Sequence, residues 1–239
     1  MILCIDIGNT NIVSALWNGE EFINYNRIES NNYNTTPFIG DGIKEITISS
    51  VVPNITKEYI NLSKKKYNIS PLIINHTNCG ITLKVDSPKE VGPDRICNVY
   101  AAKELIGVST IVVDFGSATT YDVINNKGEF IGGAISPGID VSANNLIKKA
   151  ALLKETTFIF PKKVIGKNTT TNLQSGIMYA GIDAIDGMLN RIISELDMDM
   201  NVVLTGGFSK IISTKLSTSH KLIPMLTLDG IRLINQYNS

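Results

Sequence analysis

Two aspartates each end an apolar run and stand two positions before a glycine. One lies in Ile5-Asp6-Ile7-Gly8-Asn9-Thr10-Asn11, the other in Val113-Asp114-Phe115-Gly116-Ser117-Ala118-Thr119-Thr120. A carboxylate at a strand end can reach a hydrated Mg²⁺. A glycine just beyond it admits a phosphate to the backbone, where a side chain would block the approach. Asn9, Thr10, Asn11, Ser117 and Thr119 supply amide, hydroxyl and backbone donors to the same turns. One such turn is an ordinary tight turn. Two, in matched strand context and 108 positions apart (114 − 6), read as an internal duplication. The chemistry expected of such a pair is the holding of a metal-bound nucleotide between two halves.

A third signal is Gly206-Gly207 after the apolar run Val202 to Thr205. It reads either as close backbone approach to a flat ligand such as adenosine or as a plain strand-to-helix turn. Dinucleotide-binding and P-loop sites need a helix directly after their glycines. Here a β-branched strand follows both Asp-x-Gly turns, and the chain contains no G-x-x-x-x-G-K-[ST]. The phosphates would be gripped by hairpin turns.

Gly92-Pro93-Asp94-Arg95 precedes a helical pattern from Ile96 to Leu105. Asp94 there is either a general base or an N-cap. Arg95 is either a planar donor for a carboxylate or phosphoryl group or half of a surface ion pair. Thr169, with Thr170 and Thr171, reads as a cap for a helix from Asn172, a role compatible with ligand contact.

The elements that must position these residues alternate between strands and helices. Residues 1–7, 12–17 and about 21–27 read as strands, with Asn18-Gly19 as a two-residue hairpin turn. A polar surface loop covers 29–41. A β-rich run from Glu45 to Val52, a helix from Ile55 to Lys66 and a short strand from Pro71 to Asn75 follow. The second half repeats the order, with strands at 110–115, 120–124 and 129–135. Helices at about 139–151 and 172–196, a strand at 202–205 and a last helix at 231–237 complete it. The expected class is α/β with two domains, residues 1–107 and 108–239. Each is a mixed sheet flanked by helices, with ligands in the cleft between them.

The chain has 239 residues, of which 43% are hydrophobic, enough for a substantial core. Lys plus Arg and Asp plus Glu both number 22. That balance argues against nucleic acid or an anionic membrane as a partner. No apolar stretch reaches about 20 residues, and the N-terminus has no signal-peptide character. Cys4, Cys79 and Cys97 form neither a disulfide framework nor a CxxC pair, which points to the cytoplasm. His76 and His220 are isolated and carry no metal-site spacing.

The order Asp-x-Gly, Asp-x-Gly, Gly-Gly resembles the actin, sugar kinase and Hsp70 superfamily. Ser50-Val51-Val52-Pro53, Gly92-Pro93-Asp94-Arg95, Gly132-Gly133-Ala134-Ile135-Ser136-Pro137-Gly138, Gly166-Lys167-Asn168-Thr169 and Leu204-Thr205-Gly206-Gly207 bring the resemblance closer, to type III pantothenate kinase. The resemblance implies two ribonuclease-H-like domains, a homodimer and ATP-dependent phosphorylation of pantothenate to 4'-phosphopantothenate, the first step of coenzyme A synthesis. It implies Mg²⁺ and a monovalent cation, K⁺ or NH₄⁺.

Carried over by position, Asp6, Ile7, Gly8, Asn9, Thr10, Asn11, Ile12 and Val13 form the ATP phosphate segment, with Asp6 positioning Mg²⁺ directly or through water. Ser117 contacts ATP, and Gly206 and Gly207 lie beside its adenosine. Asp94 is the catalytic base. Gly92, Pro93, Asp94, Arg95 and Thr169 contact pantothenate, and Asp114 holds the monovalent cation. The chain departs from the family pattern at Ser117 (usually Thr), at Pro93 (often Ala) and at Val85, where a pantothenate-contacting Tyr is common. Two further readings stay open at this stage. One is a kinase of another small alcohol, and the other is a non-catalytic nucleotide-binding regulator on the same scaffold.

Overall fold

The strands form where apolar runs are bounded by turn residues, and the two Asp-x-Gly turns join the first two strands of each sheet. The computed structural model describes residues 1–33 and 42–239. The part of the expected surface loop at 34–41 lies outside the described residues. In chain order the elements are β1 (Ile2–Ile7), β2 (Asn11–Trp17), β3 (Phe22–Glu29), β4 (Glu45–Ser50), α1 (Pro53–Tyr67), β5 (Leu72–Ile73), α2 (Pro93–Leu105), β6 (Thr110–Phe115), β7 (Ala118–Ile124) and β8 (Phe130–Pro137). There follow α3 (Ile139–Lys149), α4 (Thr169–Leu196), β9 (Asn201–Gly206), α5 (Ser209–Ser213), β10 (Lys221–Leu222) and α6 (Leu226–Tyr237).

The strands make two five-stranded sheets of the same design, ordered β3-β2-β1-β4-β5 and β10-β9-β6-β7-β8. In the first, β1 runs antiparallel to β2 and parallel to β4. In the second, β6 runs parallel to β9, and β9 to β10. The chain divides into two compact units. The first comprises residues 1–108, 124–132 and 225–239, and the second residues 109–123 and 133–224.

In the first unit β1 is covered on both faces, so Leu3, Cys4, Ile5 and Ile7 are all buried, as expected of a strand that pairs in a central position. Ile12, Leu16, Ile46, Ile48 and Tyr59 complete this core. The C-terminal helix α6 packs on α2 and β1 of this unit, which buries Leu226, Leu228, Ile231 and Ile234. Gly230 permits that packing, since a Cβ there would overlap the backbone of Cys97 on α2. Two buried polar pairs fix the register of α6. Thr227 Oγ1 donates to Asn98 Oδ1 (2.8 Å) and Asn235 Nδ2 donates to Thr47 Oγ1 (2.9 Å).

In the second unit the middles of β6 and β9 are apolar, with Ile111, Val112, Val113, Val202, Val203 and Leu204 buried. The long helix α4 is started by a capping box. Asn168 Oδ1 accepts from Thr171 N (2.9 Å), and the Thr171 hydroxyl meets the backbone of Asn168. Among the described residues no helix is long and apolar enough to cross a membrane.

Several boundaries differ from the sequence reading for local reasons. Asn18 and Gly19 belong to a four-residue connection. There the Asn18 side chain accepts from the backbone of Glu20 (2.8 Å) and Glu21 (2.9 Å), a competing local bond that widens the turn. Helix α2 begins at Pro93, so Gly92 is its N-cap and Asp94 lies inside its first turn. Proline is pre-set for the first helical position. Helix α4 begins at Thr169, three residues ahead of the expected start, because Asn168 caps it.

Candidate active site

In the first unit Asp6 sits at the end of β1, and its neighbour across the parallel pair with β4 is Ser49. Ser49 is fully buried and donates from Oγ to Asp6 Oδ1 at 2.9 Å. The turn beyond is closed by Gly8 N donating to Asn11 O (2.9 Å). A Cβ on Gly8 would sit 3.1 Å from that oxygen, too close to be comfortable. Ser30 braces the same turn, with Oγ on Gly8 O (2.6 Å) and its N–H on Thr10 O (2.9 Å). Ile7 and Ile12 are buried, so within the segment 6–13 they can offer a ligand only backbone atoms. Asn9 and Thr10 are exposed.

Asp94 lies at the start of α2, its Oδ1 accepting from Arg95 N (2.8 Å). Gly92 leaves the Asp94 carboxylate its present place, since a Cβ there would make that carboxylate turn away and would approach Val51 (3.8 Å to Cγ1). One helical turn beyond Asp94 is Cys97, completely buried. Burial pushes its thiol well above the ordinary value of 9.0, and the negative charges of Asp6 and then Asp94 push it further. The charges of Asp6 and Asp94 are thus both felt at one buried sulfur. Arg95 lies over the ring of Phe130, 5.5 Å from its centre. Val85 lies close by Gly132, whose φ of +111° suits glycine alone; a Cβ there would stand 3.9 Å from Val85 Cγ1.

In the second unit Asp114 ends β6, and Gly116 N donates to Ala118 O (3.0 Å), which closes the second turn. Ser117 is exposed, and Gly138 N donates to its carbonyl (3.0 Å). A Cβ on Gly138 would overlap the Gly116 carbonyl, so the glycine at the end of β8 is what lets that strand brace the turn. Gly206, at φ +87°, faces Asp114. A Cβ there would land on the Asp114 carboxylate and 2.6 Å from Phe115 N. Gly207 N donates to Phe115 O (2.9 Å). Thr169 is exposed at the first position of α4 and lines a groove of about 830 Å³ with Thr119, Tyr121, Ser136, Ile139 and Leu146. That volume suits a small organic ligand.

Asp6, one half-buried carboxylate with a hydroxyl fixing its orientation, fits Mg²⁺, which takes one or two carboxylates and completes its shell with phosphate and water. Asp114, a single half-buried carboxylate near the end of β6, fits a cation of low charge. Among the described residues no cluster of three or more His, Cys, Asp or Glu could hold a metal by itself.

The structure thus brings together Asp6, Gly8 to Asn11 and Gly92 to Arg95 in the first unit. It brings together Asp114, Ser117, Gly206 and Gly207 in the second. Ser30 and Ser49 are the residues that sequence reasoning missed. Ser49 adjoins the Ser50-Val51-Val52-Pro53 motif, whose strand context was the one available signal.

The family model for type III pantothenate kinase matches residues 2–191. A type III pantothenate kinase of Moorella thermoacetica is 37% identical over 254 residues, covering 100% of both chains. One of Streptomyces coelicolor is 38% identical over 261 residues, covering 100% of this chain and 98% of its own. Among solved structures, a Campylobacter jejuni protein assigned to the Baf family of transcriptional activators superposes with a TM-score of 0.62 at 21% identity, covering 99% of this chain and 98% of its own. At that identity the likeness speaks for the fold alone.

Proposed function

This chain belongs to the type III pantothenate kinase family, an α/β fold of two ribonuclease-H-like domains, and we propose that the residues above divide the reaction as follows. The reaction itself is ATP-dependent phosphorylation of pantothenate, which opens coenzyme A biosynthesis. The primary hydroxyl oxygen of pantothenate attacks the γ-phosphorus of ATP. The bond from that phosphorus to the β–γ bridging oxygen breaks, ADP leaves, and the hydroxyl proton passes to Asp94. Little covalent chemistry falls to the protein in such a transfer, so positioning and charge neutralisation dominate.

Asp94 is suited to the base role because the Arg95 N–H fixes one carboxylate oxygen. The segment Asp6 to Val13 cradles phosphates with backbone donors, and Asp6, oriented by Ser49, positions Mg²⁺. When bound, Mg²⁺ neutralises charge on the β- and γ-phosphates. Ser117 contacts ATP, and Gly206 and Gly207 lie beside its adenosine. Asp114 holds the monovalent cation, K⁺ or NH₄⁺. Gly92 to Arg95 and Thr169 contact pantothenate, with Arg95 on its carboxylate or on the transferring phosphoryl group. The large apolar side chains of Ile135, Leu152, Val164 and Ile165, all exposed, are what supports a homodimer. The enzyme works in the cytoplasm without nucleic acid or membrane.

The observation that carries this reading is that one segment links the two carboxylates: Val51 N donates to Ile7 O (3.1 Å), next to Asp6, and Val51 Cγ1 lies 3.8 Å from the Cβ position of Gly92, the N-cap before Asp94. It supports a metal-positioning carboxylate and a base in one neighbourhood. The test is ADP release by the purified protein with pantothenate and Mg²⁺ in K⁺ or Na⁺. Turnover that requires pantothenate and K⁺, and that disappears in Asp94→Asn while ATP still binds, is expected. Turnover of Asp94→Asn at the wild-type rate would overturn the assignment of the base.

A further inference from the structure

The two halves repeat a pairing that the sequence motifs do not reveal. Asp6 on β1 is the register partner of Ser49 on the parallel strand β4. Asp114 on β6 is the register partner of Thr205 on the parallel strand β9. Directly paired residues of parallel strands project to the same face of the sheet. Each aspartate therefore stands beside a hydroxyl residue on the same face.

The two pairs differ in one respect. Ser49 donates to Asp6 at 2.9 Å. The Thr205 hydroxyl, on a residue only 1% exposed, has no hydrogen-bond partner among the described residues. A buried hydroxyl left without a partner is costly, and native structures rarely keep one without a ligand or a water to meet it. The next residue holds the carboxylate close. Gly206, with φ +87°, has no Cβ, and Asp114 Oδ1 and the Phe115 backbone pack where one would stand, so the carboxylate lies against the residue that follows Thr205.

We propose that Thr205 Oγ1 is a second protein ligand of the monovalent cation assigned above to Asp114, an inference that rests on that assignment. One carboxylate and one neutral hydroxyl form a hard oxygen donor pair with a single negative charge. Such a pair suits a singly charged cation better than a divalent one, which gathers several carboxylates or phosphates. In the first half the hydroxyl orients the carboxylate. In the second it stands apart from the carboxylate, and both oxygens face the ion.

The test is thermal melting of the full-length protein in KCl, NaCl and choline chloride at equal ionic strength. Wild type, Thr205→Val, Thr205→Ser and Asp114→Asn are compared. A ligand that binds only the folded state raises the melting temperature in proportion to its saturation. Wild type should show a K⁺-specific rise. Thr205→Val, which keeps shape and removes the oxygen, should melt no lower than wild type in choline. Its half-maximal K⁺ concentration should rise at least about tenfold, the usual penalty for disturbing a metal's supporting groups. Thr205→Ser should keep the wild-type response. An unchanged K⁺ midpoint in Thr205→Val, or an equal fall in melting temperature in all three salts, would overturn the proposal and assign the hydroxyl to a structural water. If Thr205→Val does not fold, Thr205→Ala decides: a K⁺ midpoint unchanged from wild type overturns the proposal, and one raised at least about tenfold supports it. Should wild type show no K⁺-specific rise, the cation assignment to Asp114 fails and this proposal with it. A wild-type response that Asp114→Asn abolishes but Thr205→Val leaves intact sinks the Thr205 role alone.

Discussion

Ser49 and Asp6 face each other across the parallel pair of β4 and β1, joined by a 2.9 Å hydrogen bond from hydroxyl to carboxylate. A hydrogen bond to a charged acceptor is worth about 1.5–3 kcal/mol. Its loss frees the carboxylate to rotate. Ser49→Ala should therefore lower kcat/KM by roughly tenfold and raise the Mg²⁺ concentration for half-maximal rate, with pantothenate KM little changed. Ser49→Thr should restore most of the Mg²⁺ response. Steady-state titration of Mg²⁺ in the three proteins checks this, and an unaltered Mg²⁺ midpoint in Ser49→Ala would remove Ser49 from any positioning role.

Asp94→Asn separates the chemical part of Asp94 from its structural part. The amide oxygen of Asn can still accept from Arg95 N, as Oδ1 does at 2.8 Å, so the start of α2 keeps its local bond. What disappears is the proposed proton acceptor, a contribution of about 10²- to 10⁴-fold. The expected result is a kcat lower by that factor, with a melting temperature within about 2 °C of wild type. A fall in stability as large as the fall in rate would show that Asp94 serves mainly to start the helix.

The parts of the site that were legible in the sequence are those set by local chain chemistry. The run Ile2 to Ile7 reads as a strand buried on both faces, and it is one; Gly8 and Gly116 stand where each strand turns back. Gly138 and Gly206 sit inside motifs because a Cβ at either would overlap backbone, at the Gly116 carbonyl or at Phe115. Ser49 and Thr205 were not legible as partners of aspartates. Their roles depend on strand register between segments 43 and 91 positions apart (49 − 6 and 205 − 114), and side-chain alternation alone cannot set register between distant strands. Ser30 was hidden in a polar stretch that reads as loop. The start of α2 was misplaced because Asp94 is a favoured cap residue, whereas Pro93 had already fixed the first helical position.

Gly230 controls how closely α6 approaches α2. A Cβ at this position would overlap Cys97 O, C and Cα, backbone atoms that cannot rotate away. Overpacking of this kind costs about 1–3 kcal/mol, which in a chain of 239 residues corresponds to a melting temperature lower by roughly 2–12 °C. Because Cys97 lies one turn from Asp94, Gly230→Ala should also reduce kcat. Gly187→Ala is the control, since nothing lies within 4 Å of a Cβ there. Calorimetry and steady-state rates on both variants check the contrast, and equal behaviour of the two would refute the close packing.

Cys97 makes stability fall at alkaline pH. Burial first, and the charges of Asp6 and Asp94 after it, raise its thiol well above 9.0 in the folded protein, while the unfolded thiol keeps its ordinary value. Between those two values the unfolded chain has released the proton and the folded chain has not. The unfolded state therefore binds fewer protons, and unfolding becomes easier as pH rises. The contribution is fully present below the unfolded value and is lost as pH climbs through the folded one, at up to about 1.4 kcal/mol per pH unit for one thiol. Cys4, raised for the same primary reason, adds a second such slope. Cys97→Ala should give a protein whose unfolding free energy declines less steeply between pH 9 and 10.5, measured by urea titration at each pH. In native wild type at pH 8 the Cys97 thiol should also resist a maleimide reagent that labels the urea-unfolded chain at once. Rapid native labelling at Cys97 would mean that the sulfur is neither sealed nor held neutral between the two aspartates.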